Sequence, residues 1–234
     1  ALTCRPPIQV WYSDPVTTIV NGATLTSGKT MATKDAFEFE NGAVRVATSA
    51  EVDQIITHMK EFKPKKDYRE AVRKVEAELF EHHSAALIGN QAVDFRKQDG
   101  VTEIEESVQA NLVERRLNDQ LLADEVAGNI EICRAPAYVG CVSNFSNFLD
   151  LSRKTLRNIE LGVPAVVLSR SNTTQHMYRW TQMLHELMAK HGVDAGLVTY
   201  AAAELPEQQR IIAEMGETSP MYITCSRGVA ANVR

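Results

Sequence analysis

The chain has 234 residues, of which 44% are hydrophobic and 24% charged, and its net charge at pH 7 is −5. These values are typical of one or two globular domains with a sizeable core, and the acidic balance argues against a nucleic-acid binder. No stretch approaches the roughly 18 consecutive apolar residues of a transmembrane helix. No cysteine or histidine spacing typical of a metal site occurs.

The first 48 residues carry strand and turn signals. Asn21-Gly22 separates two short β-prone runs and predicts a β-hairpin, because both residues accept the positive φ angles of a tight turn. Asn41-Gly42 predicts a second hairpin between strands at 37–39 and 44–46. Prolines near the N-terminus indicate an extended arm. The sequence therefore predicts an N-terminal arm with hairpins over 1–48 and an α/β domain over 49–234.

Four amphipathic helices are predicted next. Residues 48–51 read Thr-Ser-Ala-Glu, a capping box that begins the first helix. The second helix follows Pro64, the third covers 84–98, and the fourth runs from Thr102 to about Glu125. Helical spacing assigns an inner face to the first helix and to the fourth. These faces are Val52, Ile55, Ile56 and Met59 in the first helix, and Ile104, Val108 and Leu112 in the fourth.

From residue 136 onward the pattern alternates between strands and helices. Four short apolar runs, at 137–142, 164–168, 196–200 and 221–224, are typical of parallel strands buried on both faces. Between the second and third runs a helix with a stripe of large apolar residues ends at Gly192, which suits a helix C-terminus. The stripe consists of Met177, Trp180, Leu184, Leu187 and Met188. The predicted fold is α/β, with a Rossmann-like parallel sheet and flanking helices.

The predicted strand ends lack the groups that bind a dinucleotide. A pyrophosphate needs glycines for close backbone approach, free N–H donors and a positive environment. The third strand is followed by 201–204, Ala-Ala-Ala-Glu, whose carboxylate would repel a phosphate. The best remaining anion site combines Ser226 and Arg227 with Arg170 from a neighbouring strand end. The alternative is that both arginines lie on the surface or at an interface.

One thiol merits attention as a candidate nucleophile. Cys225 is predicted to lie at a helix N-terminus, which lowers the pKa of a thiol. The alternative is a buried structural cysteine. No other cysteine lies in a setting that would activate it.

Two stretches carry a resemblance to a known family. Residues 139–148, VGCVSNFSNF, are similar to the motif V-G-V-I-S-P-W-N-F-P, and residues 161–171, LGVPAVVLSRS, are similar to A-G-N-x-V-V-L-K-P-S. The Asn21-Gly22 hairpin and the entry into the first helix add to the match. The chain thus resembles the N-terminal, NAD-binding half of the aldehyde dehydrogenase superfamily. The resemblance implies a truncated aldehyde dehydrogenase-like fold without the catalytic domain.

The departures from the family pattern fall at its cofactor and substrate positions. Ser146 stands where the family has an oxyanion-binding asparagine, with Asn147 one position away. Ser169 replaces the lysine that contacts the adenosine ribose, and Asn172 replaces a frequent acidic partner. Cys225 replaces the first glycine of the family's F-T-G-S turn. The resemblance places the family's catalytic cysteine and glutamate beyond residue 234.

These departures predict a pseudoenzyme without catalytic residues, cofactor or metal, which serves as a structural subunit and binds other protein subunits. The first alternative is an N-terminal, cofactor-binding fragment of an NAD(P)-dependent aldehyde dehydrogenase. The second is a nucleotide-sensing module that uses Arg170, Ser226 and Arg227. A start at Ala1 fits methionine removal, an expression product or transit-peptide cleavage. The predicted location is mitochondrial, or otherwise cytoplasmic.

Overall fold

The computed structural model describes residues 10–65, 67–95, 99–141, 147–169 and 171–231. Its centre is a six-stranded sheet with the order β2-β1-β7-β6-β5-β8. The last four strands in this order are parallel to one another, and β1 pairs antiparallel with β2 and β7. The predicted α/β fold with a Rossmann-like sheet is confirmed. The six strands are β1 Thr18–Val20, β2 Ala23–Leu25, β5 Ala137–Cys141, β6 Ala165–Ser169, β7 Val198–Ala201 and β8 Met221–Thr224.

The first hairpin forms as predicted and extends the main sheet. Asn21 and Gly22 have φ angles of 50° and 76°, so both turn residues adopt the left-handed conformation. Ile19 of β1 lies opposite Tyr200 of β7, which attaches the hairpin to the parallel strands. The division of the chain at residue 48 stays a prediction.

The second hairpin forms with a different turn from the one predicted. Its strands are β3 Thr30–Lys34 and β4 Glu40–Arg45, so the Asn41-Gly42 pair lies inside β4. The turn is organised by Asp35, whose Oδ1 accepts the N–H groups of Phe37 and Phe39 at 2.8 and 3.0 Å. Asn41 is buried and accepts a hydrogen bond from the Thr33 hydroxyl at 2.8 Å. The local hydrogen bonds of Asp35 therefore override the Asn-Gly signal.

The first helix, α1 Ser49–Glu61, begins at the predicted capping box. The Thr48 hydroxyl accepts the Glu51 N–H at 3.2 Å, and the Glu51 carboxylate accepts the Thr48 N–H at 2.9 Å. The other oxygen of Glu51 accepts the N–H of Ser27 at 2.8 Å, so the box also holds the preceding loop. The predicted inner face is confirmed, since Val52, Ile55, Ile56 and Met59 are all buried.

The next three helices are α2 Arg69–Glu78, α3 Ser84–Phe95 and α4 Gly100–Val126, with a π-helical turn at Leu79–His83 between α2 and α3. The predicted inner face of α4 is confirmed only in part, since of its three residues Ile104 packs against the core. Leu112 is exposed, and Ile104 and Val108 are only partly buried. The residues that α4 buries are Glu103, Ser107, Asn111, Asn118 and Leu122. This face is polar because neighbouring helices offer polar partners, as between Asn118 and Glu160, 2.8 Å apart.

The remaining helices alternate with the parallel strands. They are α5 Asn147–Leu151, α6 Arg157–Glu160, α7 Thr174–His191, α8 Leu205–Met215 and α9 Arg227–Ala231. The predicted apolar stripe of α7 is buried, and Gly192 ends the helix with a φ of 71°. No helix in the described ranges is both long and apolar enough to cross a membrane.

The core lies on both faces of the sheet. Val139, Val167 and Tyr200 point to one face and pack with helices that include α2 and α7. Their neighbours along the strands, among them Tyr138 and Val166, point to the other face and pack with α1 and α8. The helical layers leave the carboxyl ends of the parallel strands as the natural place for a ligand.

Candidate functional site

The candidate site is the crevice at the carboxyl ends of the parallel strands. The strands β6 and β8 lie on opposite sides of β5, so the strand order reverses at β5. In open α/β sheets, ligands bind outside the strand ends at such a point. The register places Cys141 of β5 beside Ser169 on one side and Thr224 on the other. The predicted positions Ser169 and Cys225 therefore lie along the same edge of the sheet.

At the end of β6, side chains close the crevice by hydrogen bonding to one another. The buried hydroxyl of Ser169 hydrogen-bonds the hydroxyl of Tyr200, which donates to the backbone oxygen of Thr174 at 3.1 Å. The side-chain amide of Gln208 on α8 donates to the backbone oxygens of Ser169 and Ala203, at 2.8 and 2.9 Å. The polar groups at this end thus already bond to protein atoms.

The Tyr200 hydroxyl remains protonated at neutral pH. Burial raises its pKa, and the hydrogen bond with Ser169 lowers it by less. A protonated phenol is uncharged, so Tyr200 forms hydrogen bonds but supplies no charge to the crevice. Its role here is to connect the end of β6 with the start of α7.

The turn after β7 is also occupied by the protein's own contacts. The Ala202 N–H donates to the Thr18 hydroxyl at 3.1 Å, and the Ala202 oxygen accepts the Ala47 N–H at 2.8 Å. Glu204 is the N-cap residue of α8, and its half-exposed carboxylate lies 3.0 Å from the Lys29 ammonium. A carboxylate at this position opposes a phosphate at the positive end of the helix.

A small cavity of about 190 Å³ remains beside these groups. It lies between the β3–β4 hairpin, the ends of β6 and β7, and the first turns of α7 and α8. Small-molecule sites usually measure about 300–1,000 Å³, so the cavity is small for a dinucleotide. Its lining comprises Met31, Ala32, Val44, Val46, Ser169, Thr174, Ala202, Ala203, Glu204, Leu205 and Gln208.

The other positions that the resemblance singles out near β5 and β6 have different surroundings. Asn172 lies in a 3₁₀ turn before α7, and its side-chain oxygen is buried without a hydrogen-bond partner in the described structure. Ser146 and Arg170 lie outside the described residues. For Asn147 the structure describes only its place as the first residue of α5.

At the end of β8 the polar groups bond to adjacent segments. The Thr224 hydroxyl donates to Asp150 Oδ2 at 2.7 Å, and burial raises the pKa of Asp150. The hydroxyl of Ser226 lies 3.4 Å from the Val229 nitrogen, so it faces the first turn of its own short helix. Cys225 is half-buried between these two groups. Arg227 is exposed, in accord with the surface alternative for this residue.

The sequence analysis missed several residues that organise the crevice. The side-chain oxygen of Gln91 accepts the Phe148 N–H at 3.2 Å, and its amide donates to the buried carboxylate of Glu103 at 2.5 Å. This pair supports the first turn of α5, the helix that follows β5 in the chain. Tyr200 and Gln208 were likewise not predicted as site residues. No spacing signal could have found them, because each has a partner that lies 26 to 57 residues away in the chain.

Comparison with solved structures identifies the class of fold. The chain is similar to an aldehyde dehydrogenase from Bacillus cereus solved with NAD⁺, with a TM-score of 0.69, 15% identity and coverage of 94% of this chain and 48% of that one. A salicylaldehyde dehydrogenase from Pseudomonas putida gives a TM-score of 0.64 at 14% identity, with coverage of 93% and 48%. Proline utilization A from Bdellovibrio bacteriovorus gives 0.70 at 14% identity, with coverage of 94% and 24%.

These similarities establish the fold. The chain has an aldehyde dehydrogenase-like fold, as its sequence motifs predict, and spans about half the length of the aldehyde dehydrogenases that it matches. No protein-family model matches the sequence, and no curated protein matches it.

Proposed function

We propose that this chain is a non-catalytic protein with an aldehyde dehydrogenase-like fold that serves as a structural subunit of a larger protein assembly. The observation that carries the proposal is the crevice filled by Ser169, Tyr200 and Gln208. In a cofactor-binding protein the polar groups at strand ends remain available to the ligand. Here the side-chain groups of these three residues bond to one another and to the backbone.

The electrostatics of the crevice support the same proposal. Glu204 places a carboxylate at the N-terminus of α8, and its nearest cation, Lys29, is already paired with it. The Ala202 N–H donates to Thr18, so it is not free to meet a phosphate. Binding a pyrophosphate at this turn would require the loss of these bonds without a replacement donor. A structural role retains the fold and needs none of this chemistry.

Isothermal titration calorimetry of the chain with NAD⁺, NADP⁺, ATP and coenzyme A tests the loss of cofactor binding. We expect no saturable heat at micromolar ligand. A saturable site for NAD⁺ would overturn the proposal. For the subunit role, native mass spectrometry of the protein isolated from its source should give a hetero-oligomer. A chain isolated only as a monomer would contradict that role.

Subcellular fractionation of the source tests the predicted mitochondrial location.

The first alternative is an N-terminal fragment of a working aldehyde dehydrogenase. The observation in its favour is that the chain corresponds to about half of the matched enzymes. Fusing it to a matching C-terminal half and assaying NAD-linked aldehyde oxidation decides between them. A nucleotide-sensing module based on Arg170, Ser226 and Arg227 stays a prediction, and the ATP and coenzyme A titrations test it.

A further inference from the structure

One face of α4 carries a row of apolar side chains, three of which are exposed and one partly buried. We name this row, Ala110, Val113, Leu117 and Leu121, the apolar seam. The exposed fractions of Val113, Leu117 and Leu121 are 58%, 60% and 38%. Large apolar side chains at this exposure, repeated over three turns of one helix, are unusual for a surface that meets only water.

The seam follows the spacing of a helix–helix contact. Its residues are separated by three or four positions, so they lie above one another on one face of α4. The face of α4 that packs within the chain includes Asn111 and Asn118 and lies about 100° around the helix from the seam. With a rise of about 1.5 Å per residue, the seam is about 17 Å long, which corresponds to about one and a half heptads of a partner helix.

An acidic residue lies at each end of the seam and on the same face. Glu106 precedes Ala110 by one turn, and Asp124 follows Leu121 by three residues. The Glu106 side chain is exposed and that of Asp124 is partly exposed. The basic residues nearest to the seam in sequence, Arg115 and Arg116, lie in the middle of the helix. The surface is therefore apolar in its centre and negative at both ends.

This charge pattern argues against a second copy of the chain as the partner. An antiparallel pair with Val113 opposite Leu117 places Glu106 opposite Asp124 at both ends. A shift that brings Arg116 opposite Glu106 places Leu117 opposite Glu105 instead. A parallel pair places each carboxylate beside its own equivalent. Each arrangement thus creates repulsion or buries a carboxylate against an apolar side chain.

We propose that the apolar seam of α4 binds an amphipathic helix of a different protein, and that this helix carries basic residues at both ends of its own apolar stripe. The apolar centre supplies the contact area, and the pairing of Glu106 and Asp124 with the basic ends fixes the position of the helix. The inference rests on the proposed role as a subunit and adds the surface and the chemistry of the partner.

Synthetic helices test this proposal directly. The probe is a labelled 24-residue amphipathic peptide with leucine at the a and d positions of two central heptads and two lysines at each end. The matched peptide carries glutamates at the ends. Fluorescence anisotropy with the full chain at low salt should give at least about tenfold tighter binding of the lysine-ended peptide. Equal binding of the two peptides, or binding of neither, would overturn the proposal.

Variants of the full chain locate the contact. Leu117→Glu should weaken binding of the lysine-ended peptide by about tenfold or more, because a carboxylate enters the apolar centre. The matched control is Val101→Glu, which changes a residue of the same helix that is 73% exposed but lies off the seam, and should leave binding unchanged. Circular dichroism confirms that both variants remain folded. Equal loss in the two variants would contradict binding at the seam.

Reversing the charges at the two ends of the seam distinguishes specific ion pairing from nonspecific hydrophobic binding. Glu106→Lys combined with Asp124→Lys should reverse the preference, so that the glutamate-ended peptide binds more tightly. An unchanged preference would contradict the assigned role of these carboxylates. Sedimentation of the unmodified chain tests whether a second copy of the chain covers the seam instead. A dimer that dissociates in the Leu117→Glu variant would show this and would overturn the proposal. NAD⁺ binding does not affect these readouts, so failure here is distinct from failure of the proposed function.

Discussion

Two buried polar regions of the molecule hold their surroundings together by different means. The ionic interface, which we define as Glu76, Arg115, Arg157 and Glu160, joins α2, α4 and α6 through full charges. Arg157 pairs with Glu76 and lies 3.0 Å from Glu160, and Arg115 lies 2.8 Å from Glu76. The crevice at the ends of β6 and β7 is joined through neutral hydroxyl, amide and backbone groups.

The two regions should lose different amounts of stability when one of their members is removed. A buried charge has lost its hydration, so each member of the ionic interface needs its partners. A neutral hydroxyl costs less to bury, and losing one of its hydrogen bonds costs correspondingly less. We therefore expect the ionic interface to be the more sensitive of the two to single substitutions. The neutral network, in turn, is the one suited to closing a crevice without leaving a charge that attracts a ligand.

The largest expected effect comes from breaking the ionic interface. Arg157→Met should lower the free energy of unfolding by about 3–5 kcal/mol, because it leaves the buried carboxylates of Glu76 and Glu160 short of a cation. Urea denaturation followed by circular dichroism measures the change. The control is Arg116→Met on the exposed side of α4, which should change stability by less than about 0.5 kcal/mol. A loss below about 1 kcal/mol for Arg157→Met would show that the remaining cations, Arg115 beside Glu76 and Arg73 beside Glu160, are sufficient for the two carboxylates.

Asp94, a buried carboxylate with no cation partner among the described residues, gives the next effect and sharpens the comparison. Burial raises the pKa of Asp94 to about 6, and the hydrogen bonds from Tyr12 and Asn41 oppose the rise only partly. Because the folded state then binds a proton more tightly than the unfolded state, stability from this group is present at low pH and is lost as pH rises to about 6.

The Asp94→Asn variant isolates this contribution, since asparagine does not titrate. Between pH 7 and pH 5 the unmodified protein should gain about 1 kcal/mol of unfolding free energy relative to the variant. Urea denaturation of both proteins across this range measures the difference. A difference that does not change with pH would mean that Asp94 is ionised throughout, as a carboxylate paired with a cation would be.

In the crevice, Tyr200→Phe removes the hydroxyl that joins Ser169 to Thr174. We expect a loss of about 1–2 kcal/mol, because two buried groups lose a partner while the ring remains in place. Tyr222→Phe is the matched control on β8, where the side chain is only partly buried, and should have little effect. If the two variants lost equal stability, the crevice network would have no special role.

The sequence predicted the apolar parts of the fold well and the polar parts poorly. The stripe of α7 was predicted because large apolar side chains such as Trp180 and Leu184 favour burial regardless of which residues surround them. Asn118 is buried because its amide donates to the Glu160 carboxylate and to the Arg157 backbone oxygen, 42 and 39 residues away. Ser169 and Tyr200 were both placed correctly at strand ends, but the hydrogen bond between them was not predicted. Partners distant in the chain leave no periodic signal.

The smallest effect is expected at the mouth of the crevice, where a cation and a carboxylate pair as in the ionic interface but are exposed to solvent. The side chains of Lys29 and Glu204 are 64% and 51% exposed and 3.0 Å apart. Lys29→Met should lower the unfolding free energy by less than about 1 kcal/mol, and 0.5 M NaCl should reduce the difference further, because exposed pairs are screened. Thermal unfolding at two salt concentrations measures both quantities. A loss as large as that of Arg157→Met would mean that burial does not decide the strength of these contacts, and the contrast between the two regions would fail.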